Sequence, residues 1–596
     1  MNFQLLGDLR GQLAAALGVG AADVPVLTAD LCPPGMKADI TLNGFHLAKA
    51  LRRPPPVLAE TVTALAKQHP DVADAVCVKA FINITLKPAA LFRDTVGDPD
   101  AIANAARLPE AERRRIVIEF SAPNTNKPQH LGHVRNNTLG MATAGILSAA
   151  GHLVTPVNLI NDRGIHICKS MLAYQRFGNG ETPASSGKKG DHLVGDYYVR
   201  FDQEYRRQLA ELKAARPDLA GKESDELFLE TELGRAAQDM LLAWEKADPA
   251  VRQLWATMNG WVISGFNETY ARMGVRFDQV FLESQTYTLG RDIIQDGLAR
   301  GVFQKRADGA VVIDLESDKL GQKVVLRGDG TSVYITQDIG TTLLKQREFS
   351  PDRQLWVVGD EQIHHFRVLF AILRRLGYAW AADCHHMAYG MVNLPSGRMK
   401  SREGTVVDAD DLFDEMTTLA RQAIVERSEG APPADLEARA QAIGLGALKF
   451  MLLKVNPKTT ILFDPEASVK FEGDTGPYVQ YAGARIRSML RKAGPDALAG
   501  AVDWSVLGEP AEKELALRCA GYGAAVRQAA ADLDSSGLAT YLLDLAKAFS
   551  HFYHDCPVLN APTPALRRAR LELSDRAHRV LSAGLQALTI TPLDSM

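Results

Sequence analysis

His130 and His133 stand three residues apart at the head of a small, apolar run that predicts a helix from about Leu131 to just before Gly151. At that spacing the two imidazoles lie on nearly one face, so both can reach a single bound anion. A helix N-terminus adds unpaired N–H groups and a partial positive charge, which suits the phosphates of a nucleotide. Gly132 between them has no Cβ and lets a flat base or ribose approach the backbone. Chemistry on a phosphoanhydride without a covalent nucleophile needs mainly positioning and stabilisation of the charge that develops on the transferred phosphate.

Those side chains need a frame. Ile116-Val117-Ile118-Glu119-Phe120 reads as a buried strand, residues 121–128 as a loop, and the stretch around 153–160 as a second strand. Strand, helix and strand together predict a βαβ unit. Residues 188–246 are long, charged and helical in pattern and read as an insertion. Val311-Val312-Ile313, Val333-Tyr334-Ile335 and Leu355-Trp356-Val357-Val358 are expected to resume a parallel sheet, completed before about residue 410. Beyond Asp410 the pattern is helical. Upstream, Asp98-Pro99-Asp100 and the charged stretch 109–115 read as a linker after a small N-terminal domain. The expected division is 1–110, 111–410 with a helical insertion at about 165–285, and 411–596.

A length of 596 residues with 46% apolar and 23% charged content fits a large globular protein of several domains. The net charge of −4 gives no global basic field. A nucleic-acid partner would therefore be held by local patches such as Arg113-Arg114-Arg115, Arg485 to Lys492, or Arg567-Arg568-Arg570. Six cysteines lack CxxC spacing, which argues against a structural metal or a disulfide framework and fits a reducing cytoplasm. Leu5, Leu9, Leu13 and Leu17 recur every four residues with Asp8 and Arg10 among them, predicting an amphipathic helix rather than a leader, and no run suggests a membrane span. His364-His365 and His385-His386 are expected to be structural, because adjacent histidines rarely share one ion.

The stretch from Ser121 to Arg135, with Pro123-Asn124, Lys127-Pro128 and His130-Leu131-Gly132-His133, resembles the "HIGH" signature of class I aminoacyl-tRNA synthetases. Its PN-x-x-K-P-x-H-x-GH-x-R form resembles that of arginyl-tRNA synthetases. The resemblance implies a Rossmann-like α/β catalytic domain, an α+β N-terminal domain and an all-α C-terminal anticodon-binding bundle. It further implies ATP with Mg2+, L-arginine and tRNA(Arg) as partners and substrates, in a monomer without membrane attachment, with tRNA bound before activation. Gly397 to Val407 resembles a degenerate "KMSK" loop, in which Met399 and Lys400 would contact ATP. Lys400, Arg402 and Lys127 remain alternatives for the work of the second lysine. Another HIGH-type enzyme, or a tRNA-binding paralogue without catalysis, would share part of this pattern.

Arginine presents a planar fork of donors, so its pocket should hold carboxylates and an aromatic wall. Tyr334-Ile335-Thr336-Gln337-Asp338 offers both, with Tyr334, Thr336 and Asp338 on one face if the segment is a strand. It resembles the family's Y-x-T-x-D motif, and Val357 to Phe366 resembles VVG-x-x-Q-x-x-HF, which includes Gly359 as a nucleotide contact. The resemblance assigns Asn124 and Gln362 to the α-amino group, and Glu119, Tyr334 and Asp338 to the guanidinium. Glu119 lies in an apolar strand, where a carboxylate demands a cationic partner. Gly473 to Arg485 resembles the opening of the anticodon bundle, which would place Tyr478, Gln480 and Arg485 against tRNA; Asp474 and Gly483 depart from the family's usual Asn and His. Phe81 and Asn83, in Ala80 to Leu86, resemble the N-terminal domain that contacts the tRNA elbow.

Overall fold

The computed structural model describes residues 3–32, 36–395, 407–427 and 433–595. Its centre is a five-stranded, wholly parallel sheet in the order Cys384–Tyr389, Arg353–Gly359, Arg115–Glu119, Leu153–Ile160, Gln279–Leu282. Ile116, Val117 and Ile118 are buried, as a central parallel strand covered on both faces requires. The first helix, Leu131–Ala149, packs on this sheet along with the two strands that flank it in sequence. Phe120 lies so close to that helix that a Cβ on Gly140 would come within 2.2 Å of its ring.

Two of the expected strands are placed differently. Val311–Asp314 belongs to a separate three-stranded antiparallel sheet with Gln304–Lys305 and Gln322–Leu326. Val333-Tyr334-Ile335 is no strand at all: Val333 caps a sixteen-residue helix, Tyr334–Phe349. Short apolar runs do not distinguish strand from helix, and here burial follows the helical period, with Ile335, Thr336, Ile339, Gly340 and Lys345 turned inward.

The helical insertion contains Ile165–Phe177, Gly190–Ala215, Glu232–Glu245 and Pro249–Met273. The parallel sheet is already regained at Gln279–Leu282, within the range expected for the insertion. Beyond the sheet, Ala409–Arg427 and Leu436–Leu453 pack together and against the Leu131–Ala149 helix. Ile461–Leu462 adds a short parallel pair with Val392–Asn393. Leu436–Leu453 also packs against Gly476–Ala493, so this helix lies between the sheet and the bundle. The bundle proper comprises Gly476–Ala493, Pro510–Ala520, Tyr522–Asp532, Ser535–Asp555 and Pro564–Ala587.

At the N-terminus, an antiparallel sheet ordered Asp30–Leu31, Ile40–Asn43, Phe81–Leu86, Val72–Val78 is backed by helices. The Gln4–Leu17 helix buries Leu5, Leu9 and Leu13, matching its four-residue leucine period. This unit rests on the bundle, where buried Asp39 meets Lys513 at 2.5 Å and Arg576 donates to the Val96 carbonyl at 3.0 Å. No helix among the described residues is long and apolar enough to cross a membrane.

Candidate active site

Strands Arg115–Glu119 and Arg353–Gly359 are neighbours in the sheet, yet the chain winds outward from them in opposite directions. In open parallel sheets that reversal leaves a crevice at the C-terminal strand ends, the usual place for a ligand. The loop leaving Glu119 enters it. Ser121 and Ala122 take φ values of 77° and 45°, uncommon for residues carrying a Cβ, and side chains from the scaffold hold that turn. The Ser121 N–H donates to Asn136 Oδ1 at 2.6 Å and the Ala122 N–H to Asn158 Oδ1 at 3.0 Å. Asn136 in turn donates to the Val357 carbonyl at 2.7 Å and to the Tyr389 hydroxyl at 3.1 Å, which ties the loop to two adjoining strands.

At the loop's end His130 is the N-cap of the Leu131–Ala149 helix, and the two histidines cap it reciprocally. The Gly132 N–H donates to His130 Nδ1 at 3.1 Å, and the His130 N–H donates to His133 Nδ1 at 3.2 Å. With both Nδ1 atoms accepting, each neutral ring carries its proton on Nε2. Burial, reinforced by Lys127, lowers the pKa of His130 to about 4. Burial, His130 and Lys127 hold His133 well below the usual histidine range. Both rings, with centroids 4.0 Å apart, are therefore neutral donors at physiological pH. A Cβ on Gly132 would come within 2.9 Å of the His130 imidazole. The glycine thus makes room for the first histidine itself, a use nearer at hand than the approach of a base.

Val407 and Ala409 pair with the same loop: the Leu131 N–H donates to the Val407 carbonyl at 2.9 Å, and the Ala409 N–H to the Gln129 carbonyl at 3.0 Å. Met399, Lys400 and Arg402 lie outside the described residues. Across the crevice Gly359 is buried, Gln362 is exposed at the start of the Ile363–Arg375 helix, and Asn124 is exposed on the histidine loop.

The acidic end is built from distant segments. On the Tyr334–Phe349 helix, Tyr334 and Asp338 are four residues apart and share a face, while Thr336 points inward and donates to the Val325 carbonyl. The shared face expected for Tyr334 and Asp338 thus holds through helical rather than strand geometry, without Thr336. Tyr334 is 76% exposed, and Asp338 Oδ2 accepts from His365 Nε2 at 2.6 Å. Glu119 finds the expected cationic partner within the chain. Its carboxylate accepts from Lys345 Nζ at 2.7 Å, and that ammonium also lies 4.4 Å from the Trp356 ring centroid, so the cation the strand demanded comes from the chain itself.

Sequence reading missed Glu283. It follows the Gln279–Leu282 strand at the same C-terminal edge of the sheet. Burial raises its pKa to about 7, with Arg163 opposing and Asp162 and Asp338 adding to the rise, and Gln337 donates to it. A carboxylate directly after a short apolar run was the available signal.

Of the residues expected at tRNA, Phe81 is exposed and packs edge-on against Phe45 at 6.1 Å, with Asn83 partly exposed two residues along the same strand. Arg485 lies over the Tyr481 and Tyr553 rings at 4.6 and 5.2 Å. Partly buried Tyr478 is hydrogen-bonded to Ser550 at 3.2 Å. Gln480 is a correction: it is 0% exposed and donates to the Thr591 and Ala442 carbonyls, tying the chain's end to the bundle. Arg570 is likewise internal, donating to Glu512 at 2.7 Å.

Two family models match the chain. Residues 99–464 match the class I tRNA synthetase (R) catalytic domain family and residues 479–596 the DALR anticodon binding domain family. The Bacteroides fragilis (strain YCH46) arginine–tRNA ligase is 45% identical over 566 residues, covering 94% of this chain and 93% of its own. Its Treponema pallidum counterpart is 42% identical over 575 residues, covering 94% and 93%. Among solved structures, Thermus thermophilus arginyl-tRNA synthetase superposes with a TM-score of 0.75 at 28% identity, covering all of both chains. Arginyl-tRNA synthetase of Plasmodium falciparum, at 16% identity and a TM-score of 0.70, shares the fold over 100% of this chain and 99% of its own.

Proposed function

Since the chain belongs to the class I arginyl-tRNA synthetase family, we propose that its two capped histidines are the nucleotide-activating groups and that Asp338, Tyr334 and Glu283 read the guanidinium. The activity is that of an arginine–tRNA ligase. ATP and L-arginine give arginyl-adenylate and pyrophosphate, and the arginyl group passes to the 3′-terminal ribose of tRNA(Arg). In the first step the arginine carboxylate attacks the α-phosphate; the new bond joins carboxylate oxygen to phosphorus, and the bond to the β-phosphate breaks.

Negative charge builds on the phosphate oxygens during that step. The observation that carries the reading is the locked tautomer, in which backbone N–H groups occupy both Nδ1 atoms and leave two Nε2–H donors at one helix end. Preorganised neutral donors stabilise developing charge without first having to gain a proton. Lys127, Lys400 and Arg402 supply the positive charge that the triphosphate requires, and Mg2+ enters with ATP as part of the substrate. Gly359 is assigned to the adenosine, as is Met399 by the family resemblance. Asn124 and Gln362 hold the substrate's α-ammonium, while Glu119 acts indirectly, as the anchor of Lys345.

At the tRNA, Phe81 and Asn83 meet the elbow and Tyr478 and Arg485 the anticodon arm. The protein is read as a cytoplasmic monomer. Arginine-dependent pyrophosphate exchange tests the central claim. Substituting His130 by Ala is expected to lower kcat by about 100-fold, the scale of one lost transition-state donor, with the KM for arginine little changed. An unchanged kcat would refute it. Running the assay with and without tRNA tests whether activation waits for tRNA.

A further inference from the structure

Immediately after the segment 396–406 the chain is held from two sides. On one, Val407 and Ala409 pair with Leu131 and Gln129, and His130 faces Asp408 across an antiparallel bridge. On the other, the carboxylates opening the Ala409–Arg427 helix meet side chains from the insertion. Lys189 Nζ lies 2.6 Å from Asp410 and 3.2 Å from the buried Asp191, and donates to Thr269 Oγ at 2.5 Å. Arg272 reaches Asp410 at 3.1 Å and Asp414 at 2.5 Å. His192 Nε2 lies 3.4 Å from Asp408 and 3.5 Å from Asp410. Asp408 caps the helix, accepting from the N–H groups of Asp410 and Asp411.

We propose that Asp410 is a positioning residue for arginine activation, through which the helical insertion fixes residues 407–409 against the loop that carries His130 and His133. The cluster sets Lys189, Arg272 and His192 against Asp191, Asp408, Asp410 and Asp414, with Asp191 buried, Lys189, His192, Asp408 and Asp410 partly buried, and Arg272 and Asp414 at the exposed rim. Asp408 joins the two grips, because it is at once the helix cap and the bridge partner of His130. A small shift of the Ala409–Arg427 helix would pass through two backbone hydrogen bonds directly into the histidine loop, and misplacement by about 1 Å can cost catalysis on the order of 100-fold. Asp191, His192 and Asp410 could by themselves surround a cation. Lys189 already puts its ammonium within ion-pair distance of both carboxylates, so the cluster serves as an ion-paired joint.

Removing the Asp410 carboxylate leaves Lys189 with Asp191 on its own side of the junction and Arg272 with the exposed Asp414, so the insertion loses its shared grip on the helix start. The role rests on the reading that His130 and His133 serve ATP. In the full-length enzyme Asp410→Ala is expected to lower kcat of arginine-dependent pyrophosphate exchange at least tenfold. The KM for arginine should stay within about twofold and the affinity for tRNA unchanged, while Asp410→Glu recovers most of kcat. Combining Asp410→Ala with His130→Ala should cost little beyond His130→Ala, because both act through one loop.

Retained kcat in a folded Asp410→Ala protein would overturn the proposal, as would a parallel loss of kcat, arginine binding and tRNA binding that Asp410→Glu fails to recover. Should Asp410→Ala not fold, Arg272→Met removes one arm only and must still lower kcat severalfold; a kcat like the parent's there overturns the proposal too. Normal activity in His130→Ala would strike the histidine reading alone, and the kcat of Asp410→Ala would still decide for or against the joint.

Discussion

The two ends of the candidate crevice, as proposed for nucleotide and for arginine, are built on opposite principles. At the nucleotide end the two paired donors are neutral: His130 and His133 are close in sequence and oriented by backbone hydrogen bonds within one turn. At the arginine end, charge is concentrated: Asp338 with His365, Glu119 with Lys345, and Glu283 near Asp338 come from four separate segments. Neutral donors suit charge that appears only in the transition state, whereas fixed carboxylates suit a guanidinium that is charged throughout. A local device can be set by neighbouring residues, but a charged one needs the whole fold to bring its partners together and satisfy them.

The largest effect should fall on the charged end. Asp338→Ala is expected to lower kcat/KM for arginine on the order of 100- to 1000-fold, the cost of removing one partner from a charge-assisted pair. Near-normal arginine kinetics would break the assignment. Next, Lys345→Met strands the Glu119 carboxylate in the interior and should cost about 3–5 kcal/mol of stability in urea unfolding. Adding Glu119→Gln should restore much of it, and a single substitution without effect would show that the pair is dispensable.

A pH profile sharpens the contrast. Because burial raises Glu283 to about 7, the group is neutral below that pH and cannot attract a guanidinium. The kcat/KM for arginine should therefore fall by up to ~10-fold per pH unit below 7, and Glu283→Gln should flatten that limb. The histidines should add no inflection there, since His130 titrates near 4. The smallest effects concern the bundle. Arg485→Ala should weaken tRNA binding by a few-fold and reduce its salt dependence. Gln480→Ala should instead lower stability by about 1–3 kcal/mol at unchanged tRNA affinity; loss of affinity without loss of stability would return Gln480 to the tRNA surface.

The local structure of the proposed nucleotide end was legible in the sequence because its causes are contiguous. A strand, a loop and a helix opening on His130 occupy a single stretch of chain, and the spacing of the histidines already implied one shared face. The cationic partner of Glu119 was legible as a need, since a carboxylate in an apolar strand must be paired, but Lys345 was not legible as the answer. Tyr334 and Asp338 were recognisable while their element was not, because a three-residue apolar run fits either period and only tertiary burial chose the helix. Gln480 looked like a surface polar residue until the end of the chain folded back to cover it.

By itself the sequence determined which residue types the proposed site could draw on: two histidines at a helix start, an acidic and aromatic pair suited to a guanidinium, and basic residues suited to phosphate. Tertiary structure alone decided which of these meet. The sheet order sets Arg115–Glu119 beside Arg353–Gly359 and brings Glu283 to the same edge, and the insertion closes on Asp410. The physical reason lies in range: hydrogen bonds within a turn follow from local spacing, whereas ion pairs between distant segments exist only where packing has already excluded water and fixed both partners.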